Sequence, residues 1–260
     1  MAIEPPGRYV LSVVIPVRDG AAVIGRCLRA LTELETAGQP FEVIVVDNGS
    51  RDETVGVARL LGRGLNLSIL TRPGVHVSAV RNAGAACARG NLFAFLDADC
   101  VVAKPWLLRA TEYGWNEHSG AIGAFFGAEP EAGWVARTWC RFEGAGKRGP
   151  VDLLPSGNMI VPRRVFEAAG GFDESLETNE DADFCRRLSA SGLRVEAVAE
   201  LQAIHLGAPR SVAELYAREL WHGKDVFPVF LRRCGNARAV GFAVYVLFWS
   251  ACLIVAAAYW

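Results

Sequence analysis

Residues 41–47 read FEVIVVD, a near-continuous apolar run that ends in an aspartate. Such a run predicts a parallel strand that is covered on both faces. Segments with helical spacing separate this run from three similar ones. Strand-helix alternation predicts an α/β fold with a doubly wound, mostly parallel sheet, whose ligand site lies at the carboxyl ends of the strands. The other predicted strands are residues 10–17, 67–71 and 92–96, and the first predicted helices cover 23–34 and 78–89.

Two further segments carry patterns with structural meaning. Ser50-Arg51-Asp52-Glu53 has the order of a capping box, which predicts a helix that buries Val55, Ala58 and Leu61. From about Thr111 the alternation stops, and residues 114–150 mix Gly, Trp and Arg without a clear period. We expect irregular structure there that forms either a second binding surface or an aromatic scaffold. Helical patterns return at 162–169, 180–190 and 211–222.

Four aspartates follow predicted strands: Asp19, Asp47, Asp97 and Asp99. A single aspartate after a strand is usually a turn former or a helix cap. Four at the carboxyl ends of one sheet are expected to converge on a crevice. Asp97 and Asp99, two positions apart, can present oxygens to one hard cation such as Mg²⁺ or Mn²⁺ and leave sites open for phosphate.

Three other features each allow two interpretations. Arg81 lies among Ala and Gly, so it either contacts an anion such as phosphate or forms a surface salt bridge. The acidic cluster at residues 179–183 begins a predicted helix, where acids favour the helix dipole, or it supplies a general base. His205 is either a structural histidine or a further metal ligand.

The four blocks that carry these residues, taken together, resemble a family 2 glycosyltransferase with the glycosyltransferase A-type fold. They read SVVIPVRDG at 12–20, VIVVDNGSRDET at 43–54, VSAVRNAGAACARGNLFAFLDADC at 77–100, and SGNMIVPRRVFEAAGGFDESLETNEDADFCRRL at 156–188. The resemblance covers roughly residues 10–206. It implies metal-dependent, inverting transfer of a sugar from a nucleotide-diphosphate donor, with Mg²⁺ or Mn²⁺ as cofactor.

The resemblance also implies a role for each matching residue. Asp97 and Asp99 correspond to the D-x-D motif, with Asp99 the more direct metal ligand, and His205 lies where many members place a histidine near the metal. Asp181 is the expected base that deprotonates the acceptor hydroxyl, with Glu180 beside it. The remaining matches are Pro16, Asp19 and Asp47 lining the nucleotide pocket, Arg81 on the nucleotide or its diphosphate, and Gly157 with Asn158 in the turn beside the acceptor channel.

Two departures from the family pattern qualify these roles. Many members have Asn at the position of Asp19. The Q-x-x-R-W block of processive polysaccharide synthases is absent, and the nearest segment is Arg218-Glu219-Leu220-Trp221. The second departure favours the addition of a single sugar.

Residues 239–260, AVGFAVYVLFWSACLIVAAAYW, contain no charged residue. As a helix they would be about 33 Å long, enough for a hydrocarbon core of about 30 Å, although a buried core helix is the alternative. Four basic residues precede the segment, which predicts a single-pass cell-membrane protein with its main domain in the cytoplasm. These four are Lys224, Arg232, Arg233 and Arg238.

The chain therefore divides into four expected parts. Residues 1–110 form the nucleotide-sugar half of the catalytic domain and 111–206 the acceptor half with the base. Residues 207–238 form an amphipathic linker helix and 239–260 the transmembrane helix. The net charge of −1 argues against nucleic acid as a partner.

The expected function is transfer of a sugar to a lipid-linked or glycan acceptor beside the membrane. Two alternatives stay open: a catalytically inactive nucleotide-binding subunit of a membrane assembly, and a nucleotidyltransferase on a similar sheet. The seven cysteines include no C-x-x-C pair and are expected to be reduced.

Overall fold

The computed structural model describes residues 9–222. In the described part the strands are β1 Tyr9–Val17, β2 Phe41–Asp47, β3 Leu67–Thr71, β4 Gly90–Leu96, β5 Cys100–Val102, β6 Ser119–Gly123, β7 Gly149–Pro150, β8 Asn158–Pro162, β9 Arg194–Ala197 and β10 Ala203–His205. The helices are α1 Ile24–Thr32, α2 Thr54–Leu61, α3 Val77–Cys87, α4 Trp106–Thr111, α5 Trp134–Glu143, α6 Arg163–Ala168, α7 Glu180–Ala190 and α8 Val212–His222, with a 3-10 turn at Ala199–Leu201.

One eight-stranded sheet, in the order β3-β2-β1-β4-β8-β6-β9-β7, organises the described residues. The first four strands are parallel, β8 runs antiparallel to both β4 and β6, and β6 is parallel to β9. The predicted α/β fold with a mostly parallel sheet is confirmed. Both expected halves of the catalytic domain contribute strands to this one sheet, and their assignment to donor and acceptor stays a prediction.

Each face of the sheet is covered by its own hydrophobic core, which explains the unbroken apolar runs of β1, β2 and β4. On one face α1 buries Cys27, Leu28 and Leu31. On the other face α3 packs Val80 and Ala85 against the sheet. With both faces covered, the carboxyl edge of the parallel strands stays open.

The capping-box prediction at residues 50–53 is wrong. The Ser50 hydroxyl oxygen accepts the backbone N–H of Asp19 at 2.9 Å across the neighbouring loop. Helix α2 begins four residues later, at Thr54, whose backbone N–H donates to the Asp52 carboxylate at 3.1 Å. Of the residues expected to be buried, only Ala58 is; Val55 and Leu61 are half-buried.

The expectation of irregular structure at 114–150 is also only partly met. The segment contains strand β6, buried along its whole length, and the ten-residue helix α5. Helix α5 buries Trp139 but exposes Trp134 and Phe142 on another side. Aromatic residues on two faces of one helix hide its period, because periodicity is recognised from apolar residues on a single face.

No helix within residues 9–222 is long and apolar enough to span a bilayer. The expected transmembrane segment 239–260 and the basic residues that precede it lie outside the described residues.

Candidate active site

A cavity of about 600 Å³ opens at the carboxyl ends of β1 and β4. Its walls include the aromatic side chains of Phe125, Phe126 and Trp139. The structure brings eight of the predicted site residues to this cavity: Pro16, Arg81, Asp97, Asp99, Gly157, Glu180, Asp181 and His205. The convergence of carboxylates on one crevice is therefore present, although its members differ in part from the four strand-end aspartates.

Arg81 lies at the centre of the cavity wall and joins its two acidic sides. Its side chain is only 4% exposed. One guanidinium nitrogen, Nη2, lies 2.6 Å from Asp97 Oδ1, and the other, Nη1, lies 2.8 Å from Glu180 Oε1. Burial acts to lower the pKa of Arg81, but the charges of Asp97 and Glu180 outweigh it and raise the pKa, so the guanidinium remains charged. The alternative of a surface salt bridge is wrong.

The first acidic side of the cavity contains Asp97 and Asp99, and it is built by the pairing of β5 with β10. Cys100, directly after Asp99, is opposite His205 in this antiparallel pair. The pairing holds His205 Nε2 at 3.8 Å from Asp99 Oδ2. Edge contacts with Phe126 and Trp139, at centroid distances of 4.8 and 5.6 Å, fix the imidazole ring.

This side fits a divalent cation on three observations. The Nδ1 atom of His205 is buried and has no hydrogen-bond partner among the described residues. A Cβ added at Gly157 would overlap the Asp97 carboxylate, and one added at Gly207 would overlap the Asp99 carboxylate, so glycine keeps space open beside both acids. Carboxylate oxygens and an imidazole nitrogen together suit Mn²⁺ or Mg²⁺.

Cys100 also lies within reach of this group. A ligand atom from each of Asp99, Cys100 and His205 falls within 4.8 Å of the others. Burial raises the pKa of the Cys100 thiol well above its usual value, and so do the charges of Asp97 and Asp99. The thiol is therefore protonated when no cation is bound, and its soft sulfur is a poor ligand for a hard cation such as Mg²⁺.

The second acidic side lies at the start of α7. Glu180 accepts the Ser156 hydroxyl at 2.9 Å in addition to its ion pair with Arg81. The Asp181 carboxylate accepts the backbone N–H of Ser156 at 3.2 Å and that of Ala182 at 2.8 Å. Burial, together with the charge of Glu180, raises the pKa of Asp181 from 3.8 to about 7. Such a carboxyl group is suited to accept a proton near neutral pH.

The acidic residues of the 179–183 cluster lie in two different environments, and the role of a general base stays a prediction. Asp183 is buried and forms ion pairs with Arg186 at 2.9 Å and Arg187 at 2.7 Å, which is a structural role. Glu180 and Asp181 instead line the cavity. Asn179 precedes the helix in a left-handed conformation, with φ of 60°.

Three predicted site residues do not line the cavity. Asp19 lies on the exposed loop after β1 and accepts the backbone N–H of Arg51 at 2.7 Å. Asp47 is buried and accepts the backbone N–H groups of Gly49 and Ser50, which closes the turn after β2. These contacts are structural, and the nucleotide-binding roles of Asp19 and Asp47 stay predictions.

Asn158 is the third, and it is fully buried. Its amide donates to the carbonyl oxygens of Ala124 at 3.1 Å and Leu201 at 2.8 Å. Its side-chain oxygen accepts the Trp106 indole N–H at 3.1 Å. The Asn158 side chain therefore links the start of β8 to α4, to the residue after β6 and to the 3-10 turn, and its role beside an acceptor channel stays a prediction.

Sequence reasoning missed the residues that α8 contributes. Arg218, Glu219 and Trp221 line the cavity mouth. Arg218 lies over the Trp139 ring at 4.9 Å and donates through Nη2 to the Gly207 carbonyl at 2.6 Å. The sequence predicts an amphipathic helix over these residues, but no local pattern indicates that it packs beside the cavity.

With this geometry in place, comparisons with known proteins agree on the family. The sequence model of Glycosyl transferase family 2 matches residues 12–170. Glycosyltransferase AglE of Haloferax volcanii is 30% identical over 251 residues, which cover 91% of this chain and 80% of AglE. Validoxylamine A glucosyltransferase of Streptomyces hygroscopicus is 36% identical over 221 residues, which cover 71% of this chain and 52% of that protein.

Solved structures share the fold at lower identity. The mannosyltransferase PcManGT from Pyrobaculum calidifontis, in complex with GDP-Man and Mn²⁺, has a TM-score of 0.61 and 16% identity, covering 97% of this chain and 84% of that one. TarS from S. aureus, in complex with UDP-GlcNAc, has a TM-score of 0.60 and 18% identity, covering 87% of this chain and 68% of the TarS chain. Because the family model covers more than half of the chain and AglE is similar along most of it, this protein belongs to the enzymes of glycosyl transferase family 2.

Proposed function

We propose that the protein is a metal-dependent, inverting glycosyltransferase that moves one sugar from a nucleotide-diphosphate donor to an acceptor beside the membrane. The observation that carries this proposal is the Arg81 bridge. It links Asp97, on the side proposed to hold the cation, to Glu180, next to the half-buried Asp181, within one cavity. The nucleotide sugars bound by PcManGT and TarS support this class of donor.

On the donor side, Asp99 and His205 would hold the divalent cation, with Asp97 beside them. When bound, the cation supplies positive charge to the leaving diphosphate. Arg81, kept charged by its two acidic partners, adds a fixed guanidinium at the same wall.

On the acceptor side, Asp181 takes the proton of the attacking hydroxyl group. The acceptor oxygen forms a bond to the anomeric carbon while the bond from that carbon to the diphosphate oxygen breaks. The nucleoside diphosphate leaves with the bonding electrons, and attack from the opposite face inverts the anomeric centre. Glu180, held by Arg81 and the Ser156 hydroxyl, keeps the pKa of Asp181 raised and so makes it a stronger base.

We place the reaction at the cytoplasmic face of the cell membrane. The support is in the sequence: 22 uncharged residues at 239–260 follow a connection rich in Lys and Arg. An acceptor that is lipid-linked, or a glycan held near the bilayer, would then meet a catalytic domain that is anchored beside it. The lack of a Q-x-x-R-W block supports transfer of a single sugar.

The test is a panel of nucleotide sugars, assayed with Mn²⁺ or Mg²⁺ and membrane lipid extract for release of nucleoside diphosphate. We expect one donor to give metal-dependent release, and D99N and D181N each to lower it at least a hundredfold. D152N is the matched control, because Asp152 is exposed and does not line the cavity.

The competing functions give different products. Release of inorganic diphosphate would identify a nucleotidyltransferase. Nucleotide binding without turnover across the whole panel would identify an inactive binding subunit. Full activity in both D99N and D181N would refute the assignment of the site.

A further inference from the structure

Two neighbouring helices concentrate the exposed hydrophobic surface of the described residues. Six of the eight large hydrophobic side chains exposed there belong to α5 and α8. The exposure is high, at 71% for Trp134, 85% for Phe142 and 66% for Tyr216. Exposed apolar side chains that are grouped in this way mark an interaction surface more often than scattered ones do.

Helix α8 presents a continuous uncharged face to solvent. Val212, Ala213, Tyr216, Ala217 and Leu220 follow helical spacing, and every one of them is exposed. The helix is held to the domain from another side, where Leu215 packs against the small core formed with α5. The packing of α8 against the domain therefore leaves its uncharged face exposed to solvent.

Helix α5 presents an aromatic and cationic face. Trp134, Arg137, Thr138, Arg141 and Phe142 are exposed at positions i, i+3, i+4, i+7 and i+8, and this stripe contains no acidic residue. Its other side is buried through Val135, Ala136, Trp139 and Cys140. Aromatic side chains together with Arg are typical of helices that lie in the interface of an anionic membrane.

The sequence after α8 indicates which partner covers these exposed faces. Helix α8 ends at His222, and sixteen residues separate it from the uncharged segment 239–260. At about 3.5 Å per residue they reach at most about 60 Å, so a membrane-inserted segment would confine α8 to the neighbourhood of the bilayer. Three arginines in this connection, Arg232, Arg233 and Arg238, add to the attraction of Arg137 and Arg141 for anionic lipid.

We propose that the exposed faces of α5 and α8 dock on an anionic bilayer surface and bring the cavity mouth to the lipid. The same helices contribute Trp139, Glu143, Arg218 and Trp221 to the lining of that cavity. The cavity would then lie beside the bilayer in which a lipid-linked acceptor is anchored. This inference rests on the proposed membrane location and specifies which surface of the domain meets the bilayer.

The test uses the full chain in phosphatidylcholine vesicles that contain a quarter phosphatidylglycerol. A photo-reactive residue is introduced as Phe142→p-benzoylphenylalanine or Tyr216→p-benzoylphenylalanine. The matched control is Leu60→p-benzoylphenylalanine, because Leu60 is a hydrophobic residue of similar exposure, 57%, on α2. After irradiation, we expect at least fivefold more lipid adduct at positions 142 and 216 than at 60. Adding R137E and R141E to the position-142 variant is expected to lower its yield at least threefold.

Flotation with the vesicles separates the two proposals. A chain that floats but gives equal lipid adduct at 60, 142 and 216 overturns the docking surface and leaves the membrane location standing. Adducts at 142 and 216 to a second copy of the chain instead of lipid also overturn it and identify a dimer interface. A chain that does not float overturns the membrane location, and the docking surface with it.

Discussion

Replacing Asp181 with Asn is expected to stabilise the folded protein at alkaline pH, although it removes the proposed base. The Asp181 carboxyl group is half-buried and lies beside Glu180, and its partial burial together with the charge of Glu180 raises its pKa from 3.8 to about 7. An acid whose pKa is raised by folding is easier to ionise in the unfolded chain. Above pH 7 its ionised form therefore opposes folding, and an uncharged amide of nearly the same shape removes that opposition.

The sign and size follow from the two pKa values. Between pH 3.8 and 7 the folded state binds more protons than the unfolded state, so this group makes stability fall as pH rises. At about 1.4 kcal/mol per pKa unit, the destabilisation is on the order of 1–2 kcal/mol at pH 5 and about 4 kcal/mol at pH 8.5. D181N loses this dependence. Its stability relative to the wild type should therefore rise by roughly 2–3 kcal/mol between the two pH values.

The assay is urea unfolding of the full chain in a mild detergent at pH 5 and pH 8.5, followed by intrinsic fluorescence. The difference in free energy of unfolding between D181N and wild type is compared at the two pH values. The cost of any hydrogen bond to Ser156 or Ala182 that the amide fails to make is the same at both and cancels. D152N serves as the control, with an expected change below about 0.5 kcal/mol, as for an ordinary surface site. If the D181N difference is equally small or has the opposite sign, the raised pKa, and with it the assignment of Asp181 as a base near neutral pH, is refuted.

Three other substitutions test the framework of the site. N158A leaves the Trp106 indole N–H and two carbonyl groups without their partner, and it should lower the free energy of unfolding by about 3 kcal/mol in a urea titration. R81M leaves two carboxylates facing each other without their shared cation, and the expected loss is about 3–5 kcal/mol in the same titration; a loss below 1 kcal/mol would contradict the buried bridge. G157A places a methyl group where the Asp97 carboxylate lies, so donor turnover should fall at least about tenfold, or 1.4 kcal/mol, in a rate assay. Unchanged turnover in G157A would show that Asp97 need not keep this position.

The elements that sequence predicted best are those specified by neighbouring residues. Helix α7 begins at Glu180 and ends at Ala190, as its acidic first turn and the following Gly192 indicate. The apolar runs of β2 and β3 likewise locate those strands to within one residue. The prediction for Ser50 failed for the complementary reason, because its partner Asp19 is 31 residues away in the chain and only the folded loops bring them together.

The candidate site was predictable only as far as topology determines it. The carboxyl edge of a parallel sheet is where a ligand is expected, and Asp97 and Asp99 follow β4 at that edge. Sequence could not indicate that Arg81 and Glu180, 99 residues apart, form an ion pair. It also gave no sign that Asn158, which resembles a site residue, has all its hydrogen-bonding groups engaged inside the protein.

The charge of the cavity connects the proposed cation to the proposed donor. The side chains that line it include six carboxylates and only three guanidinium groups. A nucleoside diphosphate entering this space alone would meet net negative charge, and the enclosed walls would make that repulsion stronger than in water. A divalent cation held by Asp99 and His205 would reverse the balance locally, whereas Arg81 alone does not, because the charges of Asp97 and Glu180 offset its own. We therefore expect donor binding to require the proposed cation, because the carboxylates that would hold it also repel the diphosphate, in a protein whose net charge is only −1.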